Sequence, residues 1–429
     1  MLDLVYLLTL LVALPFLLWR SIRTGKYRDG WGQKLFGAVP KLPPVSAGKK
    51  RLWFHAVSVG EVNLLNPIVS KIERDYPDWE FVVSSTSKTG LELARKLFSE
   101  KTLVFYCPLD FSWATRRAIR RIGPSALVLV ELELWPNLIR AAKKSGAKVV
   151  IINGRIGDGS FRPYRRIRKA LAPTFRRIDR IVAQDEVAAN YFRELTPNPE
   201  RVVATGSIKF DGAKTDRDAP EIRALAELAG IRATDALYLC GSTQSPEESG
   251  AIETYRRLYR EFPELKLMIV PRHKERFEEV AALLDASEFQ WTRRSTLVEP
   301  VDPSAEASRI ILVDALGELG RWWGTAKIAF VGGSWGNRGG QNMLEPAGYG
   351  VAVSFGPNTR NFRTIVETLL RADAAKVVAN VDEATEFVRT CLLDPEYRRR
   401  LGDSARVVVS QGAGATDRAL TELARALEN

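Results

Sequence analysis

Acidic residues follow two apolar runs in the first half of the chain. Glu61 ends the segment HAVSVGE at 55–61, and Glu131 opens the segment ELELWPN at 131–137, directly after an apolar run at 126–130. A carboxylate positioned beside a hydroxyl can accept its proton, and two carboxylates after a buried strand are costly unless they are paired or used. The spacing also allows Glu61 to complement a helix dipole and Glu131 to form a structural ion pair. Both alternatives stay open at this point.

Lys209 lies in the segment TGSIKFD at 205–211, where the two halves of the chain meet. A lysine at such a junction can contact an anionic ligand. Because lysines are mostly solvated on protein surfaces, this residue is a weak indication by itself.

Turns rich in glycine recur at the ends of apolar runs in the second half. They lie at 241–243, 316–319, 332–334 and 338–345, and the basic segment PRHKERF starts with Pro271 and Arg272. Backbone N–H groups at the start of a helix bind anions, and arginine suits phosphate. Glu345, one turn into such a helix, can accept hydrogen bonds from ribose hydroxyls. Together these features predict a nucleotide site, although the sequence contains neither GxGxxG nor GxxxxGK[ST].

Continuous apolar runs alternate with helical patterns from residue 50 onward, seven runs before residue 206 and five more after 235. This alternation predicts parallel sheets covered on both faces, and the polar stretch at 211–222 separates two of them. The predicted fold class is α/β, with two facing Rossmann-like domains at 25–214 and 215–403 and a C-terminal helix at 404–429. In such sheets ligands bind at the carboxyl ends of the strands, so a cleft between the domains is the expected site.

The N-terminal segment is almost wholly apolar from residue 4 to residue 19. Basic residues follow it at once, namely Arg20, Arg23, Lys26 and Arg28. A secretory signal has its positive charge before the apolar run, whereas here Asp3 stands there. Residues 1–24 are therefore predicted to be a membrane anchor that spans the bilayer or lies in one leaflet, with the rest of the chain in the cytoplasm. A buried helix of the fold is the alternative.

Charge is unevenly distributed along the chain. The net charge is +12, composed of +17 over residues 1–214 and −5 over the remainder. The basic half should face nucleic acid, anionic lipid or an acidic substrate. Three widely spaced cysteines, no CxxC and only two histidines argue against a Cys/His zinc site.

The sequence resembles the Kdo transferases of lipopolysaccharide synthesis, where Kdo is 3-deoxy-D-manno-octulosonic acid. The resemblance runs over nearly the whole chain and rests on the order and spacing of eleven segments. They are RDGWGQKLFG, HAVSVGE, ELELWPN, INGRI, TGSIKFD, STQSPEE, PRHKERF, LGEL, FVGGS, RGGQNMLEPA and FGPNTRNF. It implies the paired Rossmann-like domains of a GT-B type glycosyltransferase, with the N-terminal anchor helix added.

The resemblance also implies roles for particular residues. Glu61 is similar to the catalytic base of the family, and Glu131 and Lys209 are similar to residues that stabilise the transition state. The residues that correspond to the CMP site are Pro271, Arg272, Leu316, Gly317, Glu318, Asn342, Met343, Leu344 and Glu345. Gln341 departs from the family pattern, which often has histidine there.

The activity that the resemblance implies is an inverting transfer of Kdo from CMP-Kdo to a glucosamine hydroxyl of a lipid A precursor. It requires neither a metal nor another cofactor. The expected partners are CMP-Kdo, the lipid A precursor and an anionic membrane, at the cytoplasmic face of the inner membrane, and not nucleic acid. Two rivals are another GT-B transferase that uses a different nucleotide sugar on a membrane lipid, and a non-catalytic binder of nucleotide or RNA. RNA binding would need exposed aromatic residues interleaved with the basic ones, and the basic stretches 162–169 and 176–180 lack them except for Tyr164.

Overall fold

The computed structural model describes residues 2–24, 29–301 and 309–428. The chain divides into two compact units. The first consists of Met1–Gly212 together with Ala413–Asn429, and the second consists of Ala213–Gly412. Lys26 and Arg28, which belong to the basic stretch after the predicted anchor, lie outside the described residues.

Fourteen strands lie within the described residues. They are β1 Lys50–His55, β2 Trp79–Ser85, β3 Val104–Tyr106, β4 Ala126–Val130, β5 Lys148–Gly154, β6 Arg180–Ala183, β7 Val202–Ala204, β8 Ala236–Thr243, β9 Leu265–Pro271, β10 Trp291–Arg293, β11 Ile310–Leu312, β12 Ile328–Val331, β13 Ala352–Phe355 and β14 Ala375–Val377.

Eighteen α-helices lie within the same ranges. They are α1 Leu2–Thr24, α2 Trp31–Phe36, α3 Val59–Asp75, α4 Lys88–Leu97, α5 Ser112–Ile122, α6 Pro136–Lys144, α7 Asp158–Arg166, α8 Arg168–Phe175, α9 Glu186–Leu195, α10 Pro220–Leu228, α11 Glu247–Leu258, α12 Phe277–Asp285, α13 Leu319–Trp322, α14 Leu344–Gly348, α15 Arg363–Arg371, α16 Val381–Leu393, α17 Pro395–Gly412 and α18 Ala415–Glu428.

The first unit is built on a seven-stranded parallel sheet in the order β3-β2-β1-β4-β5-β6-β7. Every residue of the central strand β4 is buried, because helices cover both faces of the sheet. Separate apolar clusters form on the two faces, one of them including Trp53 and Phe105 and the other including Phe54 and Leu65. The first predicted α/β domain is thus confirmed as a parallel sheet with all seven expected strands.

The second unit contains another seven-stranded parallel sheet, in the order β10-β11-β9-β8-β12-β13-β14. The sequence predicted its five inner strands and missed β10 and β14. These two strands lie at the edges of the sheet and have three residues each, too few for an apolar run to stand out. Its order and its helical cover confirm the second α/β domain.

The C-terminal segment corrects the prediction of one helix at 404–429. Residues 404–412 complete α17, and a second helix, α18, begins at Ala415. Gly414 between them has φ +79°, a left-handed conformation that ends a helix at little cost for glycine. Leu420 and Leu423 of α18 then join the apolar cluster of the first unit, and the Nε atom of Arg180 donates to Glu422 Oε2 at 2.6 Å. The chain therefore returns to its first unit at the end.

Helix α1 contacts the first unit through its first two turns. The Asp3 carboxylate accepts hydrogen bonds from Ser112 N at 2.8 Å and from Asn137 Nδ2 at 3.2 Å, and the Tyr6 hydroxyl donates to Asp110 Oδ2 at 3.1 Å. Over the described ranges, no helix combines the length and the apolar character needed to cross a membrane.

Candidate active site

The Glu61 carboxylate is held at the start of α3. Ser58 caps this helix, since its Oγ accepts from Glu61 N at 3.3 Å. In return, Glu61 accepts hydrogen bonds at both oxygens, from the Ser58 hydroxyl at 2.7 Å and from Val57 N at 2.7 Å. The arrangement resembles a capping box, except that the carboxylate accepts from the N–H of the residue before the cap, and it fixes the carboxylate in one orientation. Glu61 is 9% exposed, and this burial raises the pKa of its carboxyl.

Glu131 follows the last residue of β4 in a backbone conformation that is rare outside glycine. Its φ is +60°, and its N–H still donates to Ile152 O of β5 at 3.0 Å. Such a conformation costs of order 1–3 kcal/mol and persists only where the surroundings impose it. The turn aims the side chain at Lys209, whose Nζ lies 3.6 Å from Glu131 Oε1. Both side chains are about one-fifth exposed, so this ion pair remains within reach of a ligand.

Glu133 adds a third carboxyl at the same strand end. Burial, together with the charges of Glu61 and Glu131, raises its pKa to about 7, against the opposing effect of the Trp135 Nε1 hydrogen bond at 2.8 Å. His55 lies next to Trp135, ring edge to face at 5.4 Å between centroids. Because His55 is fully buried, its pKa falls to about 4, and the ring is neutral at pH 7.

The topology of the sheet explains why these groups meet. Strands β1, β4 and β5 are neighbours in a parallel sheet, so their carboxyl ends lie at one edge. Asn153, at the end of β5 with φ +50°, accepts from Ile208 N at 3.0 Å and thereby holds the turn that carries Lys209. Among the described residues, these carboxylates and their neighbours do not form a cluster able to hold a metal ion.

In the second unit, three of the predicted CMP-site residues lie together, namely Arg272, Asn342 and Glu345. The Asn342 amide donates to Glu345 Oε1 at 3.1 Å, and its oxygen accepts from Leu344 N at 3.2 Å. Burial raises the pKa of the Glu345 carboxyl, while the Asn342 hydrogen bond and the positive charge of Arg272 lower it. Arg272 itself is exposed, directly after the buried strand residue Pro271. The arrangement thus offers a carboxylate for hydroxyl groups and a guanidinium for an anion.

The other predicted CMP-site residues have different surroundings. Glu318 directly precedes α13 and forms a bidentate ion pair with Arg294, at 2.9 and 3.0 Å, so the protein itself already pairs its charge. Leu316 is 66% exposed, and Gly317 has φ +84°. Met343 and Leu344 are buried, which leaves only their backbone groups for a ligand.

One turn that the sequence suggested as an anion site is already occupied by the protein. The Glu247 carboxylate, 1% exposed, accepts from the backbone N–H groups of Gly333, Ser334 and Trp335 at 2.8, 2.8 and 3.0 Å. The expectation that the turn at 332–334 binds an external anion is therefore wrong, because these donors stabilise a buried carboxylate instead.

Comparisons with known proteins agree with this architecture. A family model described as 3-Deoxy-D-manno-octulosonic-acid transferase (kdotransferase) matches residues 29–212. The 3-deoxy-D-manno-octulosonic acid transferase of Haemophilus influenzae is 32% identical over 411 residues, which cover 95% of this chain and 94% of the relative. The enzyme of the same name from Bordetella pertussis is 30% identical over 436 residues, 98% of each chain. The chain belongs to the Kdo transferase family, and it is a glycosyltransferase.

Solved structures support the fold. A glycosyltransferase from Rickettsia africae has a TM-score of 0.58 at 13% identity, over 89% of this chain and 99% of that one. A UDP-GlcNAc 2-epimerase from Neisseria meningitidis, bound to UDP-GlcNAc, has the same score and identity over 87% and 100%. At such identities these neighbours show only that this Kdo transferase shares a fold of two parallel-sheet α/β domains.

The structure of this Kdo transferase places the predicted residues in two groups, one in each unit. Glu61, Glu131 and Lys209 form the first group, and Arg272, Asn342 and Glu345 form the second. The sequence predicted no role for Glu133, which lies in the segment ELELWPN together with Glu131. Nothing in the sequence distinguishes the carboxylate of Glu133 from that of Glu131. The sequence did indicate the turn at 241–243, but it could not show that Ser242, which is 6% exposed, has φ +56°, since backbone conformation cannot be read from residue type.

Proposed function

We propose that this glycosyltransferase moves Kdo from CMP-Kdo to a glucosamine hydroxyl of a lipid A precursor, in a single displacement that inverts the anomeric centre. The observation that carries the proposal is the Glu61 carboxylate, which is buried, raised in pKa and fixed by two hydrogen bonds. Membership of the Kdo transferase family supports Kdo as the sugar that is transferred.

Glu61 acts as the general base. A sugar hydroxyl is a poor nucleophile until its proton is accepted, and a positioned carboxylate with a raised pKa accepts it more readily. Each oxygen of Glu61 accepts one hydrogen bond and keeps a lone pair for the acceptor hydroxyl. The freed oxygen forms a bond to the anomeric carbon of Kdo while the bond from that carbon to the phosphate of CMP breaks.

The leaving CMP takes the electron pair of the broken bond, so negative charge grows on its phosphate. Arg272 can pair with this charge, and Asn342 and Glu345 can bind the hydroxyl groups of the nucleotide. Glu131 and Lys209 lie beside Glu61 as an ion pair, and in this scheme they stabilise the charges of the transition state. No metal or further cofactor enters this scheme.

The acceptor is an anionic lipid, and two surfaces of the first unit suit it. Helix α1 exposes an apolar face that includes Leu4, Leu8, Leu11 and Val12, between 55 and 82% exposed. The helices α7 and α8 expose a run of arginines and a lysine. We infer that α1 rests in one leaflet of the inner membrane from the cytoplasmic side, and that the basic helices face its anionic headgroups.

Mass spectrometry of a lipid A precursor incubated with CMP-Kdo and the full chain tests the proposal. The expected product is heavier by one or more Kdo residues, appears together with CMP, and is lost in Glu61→Gln. A precursor that stays unmodified with CMP-Kdo but gains a sugar from a UDP donor would replace the proposal by another nucleotide-sugar transferase. Protection against thermal unfolding by CMP but not by UDP is the matching result for the free nucleotides.

A further inference from the structure

A cavity of about 560 Å³ lies beside the proposed catalytic residues of the first unit. Its walls come from four places, the helix α1, the loop before α5, the loop after β4 and the helix α7. Its apolar walls include Tyr6, Leu10, Phe111, Leu132, Leu134 and Trp135. Its volume falls within the roughly 300–1,000 Å³ of ligand sites, which are mostly apolar.

Two carboxyl groups line the cavity, those of Asp110 and Glu133, but their surroundings do not favour a cationic ligand. Asp110 already accepts three hydrogen bonds from the protein, from Asn137 N at 3.0 Å, Leu138 N at 2.8 Å and the Tyr6 hydroxyl at 3.1 Å. Glu133 accepts from Trp135 Nε1, and burial raises its pKa to about 7, which favours its uncharged form relative to an exposed carboxyl. A wall of this kind accepts a hydrocarbon more readily than a charged group.

The position of the cavity connects an apolar surface, a basic surface and the candidate base. On one side is α1, whose outward face is apolar. On another side is Tyr164 of α7, which also lines the cavity, and its neighbours Arg162 and Arg166 are exposed. Leu132 directly follows Glu131. A ligand that fills the cavity therefore carries an apolar chain, an anionic group at the level of α7, and a reactive group near Glu61 and Glu131.

We propose that this cavity binds one fatty acyl chain of the lipid acceptor and so positions its sugar hydroxyl. The inference rests on the proposed function for the identity of the acceptor. It makes Leu10 and Leu134 residues that determine specificity for the chain. A second copy of this protein or a peptide does not combine an anionic group, a sugar hydroxyl and a hydrocarbon chain in one ligand.

The test uses water-soluble acceptor analogues that need no membrane. Glucosamine 1-phosphates with an N-linked hexanoyl, octanoyl or decanoyl chain are titrated into the full-length protein by calorimetry. Each buried methylene should raise the affinity about fourfold, until the chain fills the cavity. Leu10→Trp fills the cavity from the α1 side and should flatten this dependence. Leu11→Trp is the matched control, because Leu11 is 62% exposed and does not line the cavity.

Thr9→Phe, also in the cavity wall, repeats the test with a second side chain, and an unchanged CMP affinity shows that each variant is folded. An equally steep dependence on chain length in Leu10→Trp, Thr9→Phe and the wild type would overturn the proposal, as would a flat dependence in the wild type. Binding and transfer are separate readouts. Chain-dependent binding without Kdo transfer contradicts the proposed function alone, whereas transfer without any chain dependence contradicts the acyl site alone.

Discussion

Glu61 serves two purposes at once, as a helix cap and as the proposed base. Its capping bonds to Ser58 and Val57 give the carboxylate its orientation, and its burial raises the pKa. Glu61→Gln keeps the shape of the side chain but cannot accept a proton. We expect kcat to fall by at least about 100-fold, the range in which general base catalysis contributes. Single-turnover assays with a lipid acceptor measure this loss.

The same variant should also lose stability, because the glutamine can present only one oxygen to two hydrogen-bond donors. A lost cap costs roughly 1 kcal/mol of unfolding free energy. Ser58→Ala removes the hydroxyl that donates to the Glu61 carboxylate and accepts from Glu61 N, while the carboxylate stays, so it is the control for lost capping. Comparable melting temperatures with a far smaller loss of turnover in Ser58→Ala would separate catalysis from capping. Near-normal turnover in Glu61→Gln would move the base elsewhere, with Glu131 as the next candidate.

At the scale of elements, the two groups of candidate site residues, one in each unit, lie in the segments that follow the ends of parallel strands. In the second unit, the turn that leads into α14 brings Asn342 to Glu345, and the end of β9 contributes Arg272. Glu345→Ala should weaken CMP binding by roughly 1–3 kcal/mol, since nucleotide hydroxyls would lose a buried partner. Arg272→Ala should weaken it in a way that depends more strongly on salt, because a phosphate charge loses its partner. Lys274→Ala, an exposed cation two residues further on, is the control for general charge.

Calorimetric titration of CMP into these three variants at low and high salt gives the comparison. Unchanged CMP affinity in both Glu345→Ala and Arg272→Ala would remove this part of the second unit from donor binding. An equal loss in Lys274→Ala would mean that the positive potential of the region matters more than the guanidinium of Arg272.

The sequence predicted the inner strands and the segments that end them, because continuous apolar runs are long enough to read. It did not predict β10 and β14, whose three residues carry little periodic signal. It could not show that Glu131, Asn153 and Ser242 have positive φ, since that conformation is imposed by tertiary contacts. For the same reason it could not tell that Glu247 takes the donors of the glycine turn at 332–334.

At the scale of the whole molecule, the positive charge and the exposed apolar face both belong to the first unit. Asp3 and Tyr6 attach one face of α1 to that unit, and the opposite face carries Leu4, Leu8 and Leu11, each more than half exposed. A helix with one docked face and one exposed apolar face suits a position in the plane of a leaflet. This geometry favours the second of the two anchor arrangements that the sequence allowed.

Replacing Leu4, Leu8 and Leu11 together by serine should therefore release the protein from vesicles of anionic phospholipid. Affinity should drop at least roughly a hundredfold, as three leucine side chains no longer enter the bilayer. Deletion of residues 1–22 should likewise move much of the protein to the soluble fraction with CMP binding intact, because Asp110 keeps its bonds to the N–H groups of Asn137 and Leu138.

The control variant replaces three other residues by serine, namely Val187, Val298 and Leu393. These side chains are at least as exposed as the three leucines of α1 but lie outside that helix. It should leave vesicle binding unchanged, as measured by flotation. Equal binding by the α1 triple and the wild type would show that the basic helices alone hold the protein at the membrane. Loss of CMP binding after the deletion would instead show that the fold requires α1. That result would contradict the role of α1 as a membrane anchor alone.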